Sequence, residues 1–138
     1  MAQSILIKGD DGNFYFLQHN KVIEVTIKDG ESLSDVIDVR GYRAMAIAMP
    51  SEWTTANITF QGAVEEDGDF LDVYDDDGDE LQISAAANRF IVVCGEAEKI
   101  PDSMNVISPL RYIKLRSGTS ASAVNQGDDR TIKVCLSR

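Results

Sequence analysis

The sequence predicts an all-β protein, an antiparallel sandwich or barrel that follows an N-terminal hairpin or arm. Short apolar segments recur along the chain between turns rich in Gly and Asp, which is typical of such folds. Several of these segments alternate polar and apolar residues with a period of two, as half-buried strands do. No segment shows a helical period, since the best candidate, residues 32–39, is short and β-branched. A chain of 138 residues suits one domain with a real core.

The chain opens with a predicted hairpin. Residues 4–9 ("SILIKG") and 13–18 ("NFYFLQ") flank the turn "DDG", and Asp-Gly is a favoured pair in tight hairpin turns. We therefore assign residues 1–30 to an N-terminal β-hairpin or arm and residues 31–138 to the main β domain.

The strands of the main fold follow from alternation and from chain breakers. Ile23, Val25 and Ile27 form the apolar set of "KVIEVTIKDG", which predicts one buried face. Residues 42–50 ("YRAMAIAMP") carry apolar residues on both faces and end at Pro50, so we predict a central strand there. Further strands are predicted over residues 56–64, 70–75, 80–84, 89–94, 111–118 and 130–138.

The acidity of the chain is local. The formal net charge is −10, and residues 65–80 alone hold ten carboxylates with no basic side chain. This patch argues against nucleic-acid binding, because phosphates would repel it, and favours solubility or a basic partner. No apolar run approaches the roughly 18 residues of a membrane span, and the N-terminus lacks a basic, apolar signal. We expect no membrane contact and synthesis in a cytoplasm.

Two interpretations of the acidic segment stay open. Asp-Gly occurs twice between apolar residues, which favours hairpin turns that point to solvent. A loose cation site on Asp75, Asp77 and Asp79 is the weaker alternative. A calcium loop of the EF-hand kind is excluded, since Val73 and Ser84 would fall on its first and last ligand positions.

The catalytic inventory is thin. His19 is the only histidine, so nucleophile–histidine pairs and multi-histidine metal sites lack partners. Carboxylate pairs for glycoside hydrolysis are available by number, but the chain is small for such an enzyme. Cys94 and Cys135 lie in apolar segments, which favours buried free thiols, although their pairing stays open. We expect no enzymatic activity and no cofactor.

Trp53 has two interpretations. With the tyrosines it offers a surface on which a sugar ring stacks, so a carbohydrate-binding module is one alternative. The simpler interpretation is that Trp53, which follows Pro50 closely, packs at the mouth of the fold. We favour the second.

Two long runs resemble structural proteins of tailed bacteriophages. The first is "SEWTTANITFQGAVEEDGDFLDVYDDDGDEL" and the second is "RYIKLRSGTSASAVNQGDDRTIKV". Their order is also similar to that of galactose-binding-like (discoidin-type) sandwiches. The resemblance covers about residues 40 to 136 and implies a β-sandwich of jelly-roll or galactose-binding-like kind. It carries no ligand residues to this chain.

The resemblance implies a virion component, most simply a capsid decoration (cement) protein on the head surface. Its expected partners are the major capsid protein and further copies of itself, as a homotrimer. A tail, neck, baseplate or fibre-attachment module is the alternative. The arm is expected to add a strand to a partner's sheet edge, and the acidic segment to face solvent or basic residues of a neighbouring copy. The candidate interaction residues are Ile5, Ile7, Phe14, Phe16, Trp53, Arg111, Lys114 and Arg116.

Overall fold

The structure is a computed structural model, and it describes residues 4–8, 10, 14–18, 20–93, 107 and 109–137. This part of the chain contains eleven strands. They are β1 (Ser4–Lys8), β2 (Phe14–Gln18), β3 (Asn20–Ile27), β4 (Ile37–Asp38), β5 (Ala44–Ala48), β6 (Ile58–Ala63), β7 (Leu71–Asp72), β8 (Gln82–Ile83), β9 (Phe90–Val92), β10 (Tyr112–Ser117) and β11 (Arg130–Ser137). No helix long and apolar enough to cross a membrane occurs among these residues.

Two antiparallel sheets form a β-sandwich, which confirms the predicted fold class. The front sheet has four strands in the order β3-β11-β5-β9. The back sheet has five strands, in which β4-β10-β6-β7 form a path and β8 pairs with a further part of β6. All the pairings are antiparallel.

The core lies between the two sheets and follows the period-two pattern of the sequence. On β11, Ile132, Val134 and Leu136 are buried, and each lies two residues from the next. On the back sheet, Phe60 of β6 and Leu115 of β10 are fully buried and are paired in register. Successive side chains of a strand point to opposite faces, so the alternate residues of β11 face outward. The residues opposite them on the neighbouring strands β3 and β5 face outward as well.

The hairpin of β1 and β2 forms a sheet of its own. Its strands pair antiparallel from Ser4 opposite Gln18 to Lys8 opposite Phe14, as the "DDG" turn predicts. β3, which lies within the predicted segment 1–30, pairs along its whole length with β11. Its apolar residues pack in the core, so β3 is a strand of the sandwich.

Candidate interaction surfaces

Arg116 is the centre of a buried polar network on the outer side of the back sheet. Arg116 is only 5% exposed, and an arginine is almost never buried without partners. The guanidinium donates to Asp72 Oδ1 at 2.6 Å and to Glu80 Oε2 at 2.8 Å. Its Nε donates to Thr59 Oγ1 at 3.0 Å, and that hydroxyl donates in turn to the Gly118 carbonyl oxygen.

This network ties the acidic segment to its own sandwich. The hydrogen bond from Arg116 is the main cause that lowers the pKa of Asp72, and the charge of Arg116 lowers it further. Glu80 also accepts a hydrogen bond from the backbone N–H of Ser120. Arg116, predicted to meet the acidic segment of a neighbouring copy, is therefore paired with the acidic segment of its own chain.

The tip of the acidic segment is a turn, as the Asp-Gly pattern predicts. Tyr74 and Glu80 form an isolated antiparallel bridge, and Gly78 has a φ of 85°. Asp75 Oδ1 accepts hydrogen bonds from the backbone N–H groups of Asp77 and Asp79. Side-chain acceptance of this kind fixes a turn locally.

The three residues predicted as a weak cation site are only partly brought together. Asp75 and Asp77 lie with Asp76 in a group whose carboxylate oxygens are within 4.8 Å of one another, and Asp79 is outside this group. One oxygen of Asp75 already serves the turn. The cluster is mostly exposed, so its geometry is explained by the turn.

Lys114 and Arg111, the other predicted basic contacts, lie in different surroundings. Lys114 is half-buried on β10, and its Nζ lies 4.5 Å from the centre of the Phe70 ring, a cation–π contact. Arg111 is exposed just before β10. Lys114, like Arg116, therefore contacts the acidic segment of its own chain, whereas Arg111 faces solvent.

Trp53 is half-buried and packs against the core. Its indole Nε1–H donates to the Ala56 carbonyl oxygen at 3.0 Å, so the polar edge of the ring is used within the chain. This placement matches the packing interpretation, and it leaves little of the ring free for a sugar platform.

Gln126 holds three loops together, and sequence reasoning did not single it out. It is 1% exposed. Its Oε1 accepts from the Thr54 backbone N–H and from Arg130 Nε, and its Nε2 donates to the Thr54 carbonyl and to Ser117 Oγ. Its backbone bonds to Gly30 and Glu31. These hydrogen bonds join the polar segments 28–35 and 117–129. In the sequence, the signal for this role is the glutamine within the loop of small and polar residues.

The front face, the outer surface of the front sheet, carries small and apolar side chains. Phe90 is 72% exposed, and Val22 and Val92 are each 64% exposed. The front face comprises Val22, Ala44, Ala46, Ala48, Phe90, Val92 and Cys135, with Glu24, Thr26, Thr131, Lys133 and Ser137 as its polar members. A groove of about 390 Å³ crosses it near the start of β3.

A second apolar surface lies at one end of the back sheet. Leu71 and Val64 are exposed there, at 70% and 62%. They line a groove of about 360 Å³ with Leu110 at its base and Asp69 at its rim. Two of the residues that line this groove, Asp69 and Asp72, are acidic.

Some predicted residues lie outside what the structure describes. The hairpin strands that carry Ile5, Ile7, Phe14 and Phe16 are placed by their register. His19 and Cys94 are outside the described residues. Cys135 carries a free, half-buried thiol.

Comparisons with known proteins give one structural neighbour to report. No family model matches the sequence, and no curated protein matches it. The chain is similar in structure to the SPBc2 prophage-derived protein YomS, at 15% identity and a TM-score of 0.47, over 88% of this chain and 97% of that one. That neighbour is a phage-derived protein, and a likeness at this level says nothing of what the present chain binds.

Proposed function

We propose that this protein is a non-enzymatic structural component of a bacteriophage virion. Its most specific form is a capsid decoration (cement) protein that binds between capsomers and stabilises the head. We propose further that its sandwich is of the galactose-binding-like type, that it assembles as a homotrimer, and that the major capsid protein is its partner. The sequence runs 51–81 and 111–134 support this proposal by their resemblance to tailed-phage structural proteins.

The observation that carries the proposal is the separate two-stranded sheet of β1 and β2. A lone hairpin is marginally stable in water, so this sheet calls for a partner. An exposed strand edge offers backbone groups for strand addition, with main-chain hydrogen bonds as the source of affinity. An arm of this kind on a closed sandwich suits a protein that bridges larger assemblies.

The chemistry of the described side chains supports a role without catalysis. The buried charged residue Arg116 is paired with two carboxylates. The buried amide of Gln126 makes four side-chain hydrogen bonds. Both side chains use their polar groups to hold loops and strands together, so neither is placed to contact a substrate.

Binding to capsids tests the proposal directly. Purified protein is mixed with expanded capsids that lack it, and co-sedimentation and the temperature of capsid rupture are measured. We expect stoichiometric binding to expanded capsids, delayed rupture, and no binding to unassembled major capsid protein. Folded protein that fails to sediment with capsids contradicts a role as cement, and binding to isolated tails instead establishes the tail alternative.

The arm is tested by deleting residues 1–18, which leaves β3 and therefore the whole front sheet in place. We expect capsid binding to be lost while the circular dichroism of the sandwich is kept. A control variant replaces Gln82, exposed on β8 and outside the hairpin, by Ala. Undiminished capsid binding by the truncated chain rules the arm out as the contact.

A further inference from the structure

The front face is continuous across all four strands of its sheet. The register places Val22 opposite Cys135, Cys135 opposite Ala46, and Ala46 opposite Val92. These four residues form one apolar row, because residues opposite one another in antiparallel strands share a face. The central members of the row are small and the outer members are larger. The row therefore lies in a shallow trough, and the groove near the start of β3 is part of it.

The strands of the hairpin are rich in apolar residues, since seven of the ten residues of "SILIK" and "FYFLQ" are aliphatic or aromatic. The register pairs Ile5 with Leu17, Leu6 with Phe16 and Ile7 with Tyr15. A two-stranded ribbon of this composition calls for a covering surface, since hairpins with no sheet or helix to pack on are marginal. Each copy of the chain therefore has one apolar ribbon and one apolar trough.

The hairpin and the groove of the same copy are joined at the start of β3. Asn20 and Val22 line the groove, and a single residue separates Gln18 of β2 from Asn20 of β3. Since the tightest common hairpin loops have two residues, β2 is too closely tethered to reverse and lie along β3. The hairpin of a second copy has no such tether and can reach the groove.

The free edge of β3 is closed at one end and open at the other. Asp35 Oδ2 accepts a hydrogen bond from the backbone N–H of Thr26 at 3.1 Å, and a carboxylate at this place blocks strand addition. Val22 and Glu24, nearer the groove, are exposed. An incoming ribbon therefore meets the front sheet at the Asn20 end.

We propose that the front face is the docking site for the hairpin of a second copy of this chain. Packing of two β layers about 10 Å apart buries alternate side chains of each, and the alanines of the trough leave room for a second layer. A closed ring of copies, each giving its hairpin to the next, covers every front face and one face of every hairpin, and it leaves the strand edges of the hairpin for the capsid contact proposed above. The contact forms in the free protein, so it stands or falls apart from capsid binding.

Cys135, at the centre of the trough, makes this proposal testable by disulfide capture. Full-length protein carrying Cys94→Ser receives one new cysteine in the hairpin, either Ile7→Cys or Phe16→Cys, one for each ribbon face. After mild oxidation without capsids, we expect a non-reducing gel to show covalent multimers with one of these two variants. Adding Cys135→Ser removes those multimers if they form through the trough. The matched control is Ser51→Cys, exposed beyond the far end of β5.

Three results with the hairpin variants overturn the proposal. They are the absence of multimers from both hairpin variants, multimers that persist after Cys135→Ser, and a disulfide within one chain, which would show the hairpin folded on its own sandwich. A multimer from the Ser51→Cys control as abundant as that from the hairpin also overturns it. Capsid co-sedimentation of the same proteins is measured separately, so failure of self-association is distinguished from failure of the proposed virion role.

Discussion

Around Thr59 and Arg116 the outer face of the back sheet is covered by its own chain, whereas the described residues place no such cover over the front face of the same sandwich. On the back sheet, Thr59 and Arg116 point outward, yet they are 0% and 5% exposed, because Asp72, Glu80 and the chain near Ser120 lie over them. On the front sheet the apolar outward residues are alanines, valines, a phenylalanine and Cys135, with polar residues such as Glu24 and Lys133 beside them, and Phe90 and Val92 are strongly exposed.

The difference shows which sheet face is covered by contacts within the same chain. Covering a sheet face with charged groups requires partners for every buried charge, and the acidic segment supplies them on the back sheet. The described residues place no such cover over the small apolar side chains of the front face, and exposed apolar patches of this kind mark interaction sites. The predictions below test this contrast, from the largest expected effect to the smallest.

Removing Arg116 should uncover the back sheet. In Arg116→Met the carboxylates of Asp72 and Glu80 lose their partner, and breaking a buried pair from one side costs about 3 kcal/mol of unfolding free energy. Urea denaturation measures the loss. Arg40→Met is the control, because Arg40 makes a comparable but exposed pair with Asp38, and we expect its urea midpoint to stay at the wild-type value. Equal losses in both variants would contradict the covered-face description.

Replacing Gln126 should loosen the loops beside both sheets. Gln126→Leu keeps the size of the side chain but leaves the Thr54 amide and Ser117 hydroxyl without their partner, at about 2 kcal/mol for buried unsatisfied groups. Thermal unfolding is the measurement. Asp128→Ala, in the same loop but exposed, is the control, and a drop as large as that of Gln126→Leu would show that loop composition, not the amide, matters.

The acidic turn gives a smaller effect. Asp75→Ala removes the acceptor of two backbone hydrogen bonds, which is comparable to loss of a helix cap at about 1 kcal/mol. Asp76→Ala removes an exposed carboxylate of the same cluster and should leave the unfolding free energy unchanged. If both variants lose stability equally, local charge rather than the hydrogen bonds holds the turn.

Acid should weaken the cover of the back sheet modestly. The pKa of Asp72 is lowered in the folded protein from its ordinary 3.8, so its stabilising contribution is present above that value and is lost as pH falls through the folded-state pKa. The melting temperature should therefore fall below about pH 4. Arg116→Met removes the cause of the shift, so its melting temperature should depend less on pH in this range. An unchanged slope in Arg116→Met would separate acid sensitivity from this network.

The fold was predictable because the strands show alternating polar and apolar residues and several are separated by Asp-Gly turns. Ile23, Val25 and Ile27 predict a buried face, and all three line the inner side of β3. The pairing of β3 was not predictable in the same way. Local pattern assigns β3 to a strand but does not say which strand it pairs with, and its partner β11 lies at the other end of the chain.

The surfaces were harder to predict than the core. The acidic residues were found by composition, but the three-residue network that buries Arg116 joins strands distant in sequence. Spacing alone could not tell Arg116 from the exposed Arg111. The front face was not predicted either, because Ala44, Ala46 and Ala48 are typical of an ordinary central strand. Only the cross-strand register aligns Ala46 with Cys135 and Val92.

Sedimentation equilibrium on two matched variants compares the two faces most directly. Ala46→Glu places a carboxylate in the middle of the front face, and Gln82→Glu places one on exposed β8 of the back sheet. We predict that wild type and Gln82→Glu form the same oligomer and that Ala46→Glu, still folded by circular dichroism, sediments as a monomer. A wild-type monomer, or an Ala46→Glu oligomer of unchanged mass, would contradict the assignment of the front face as the contact surface.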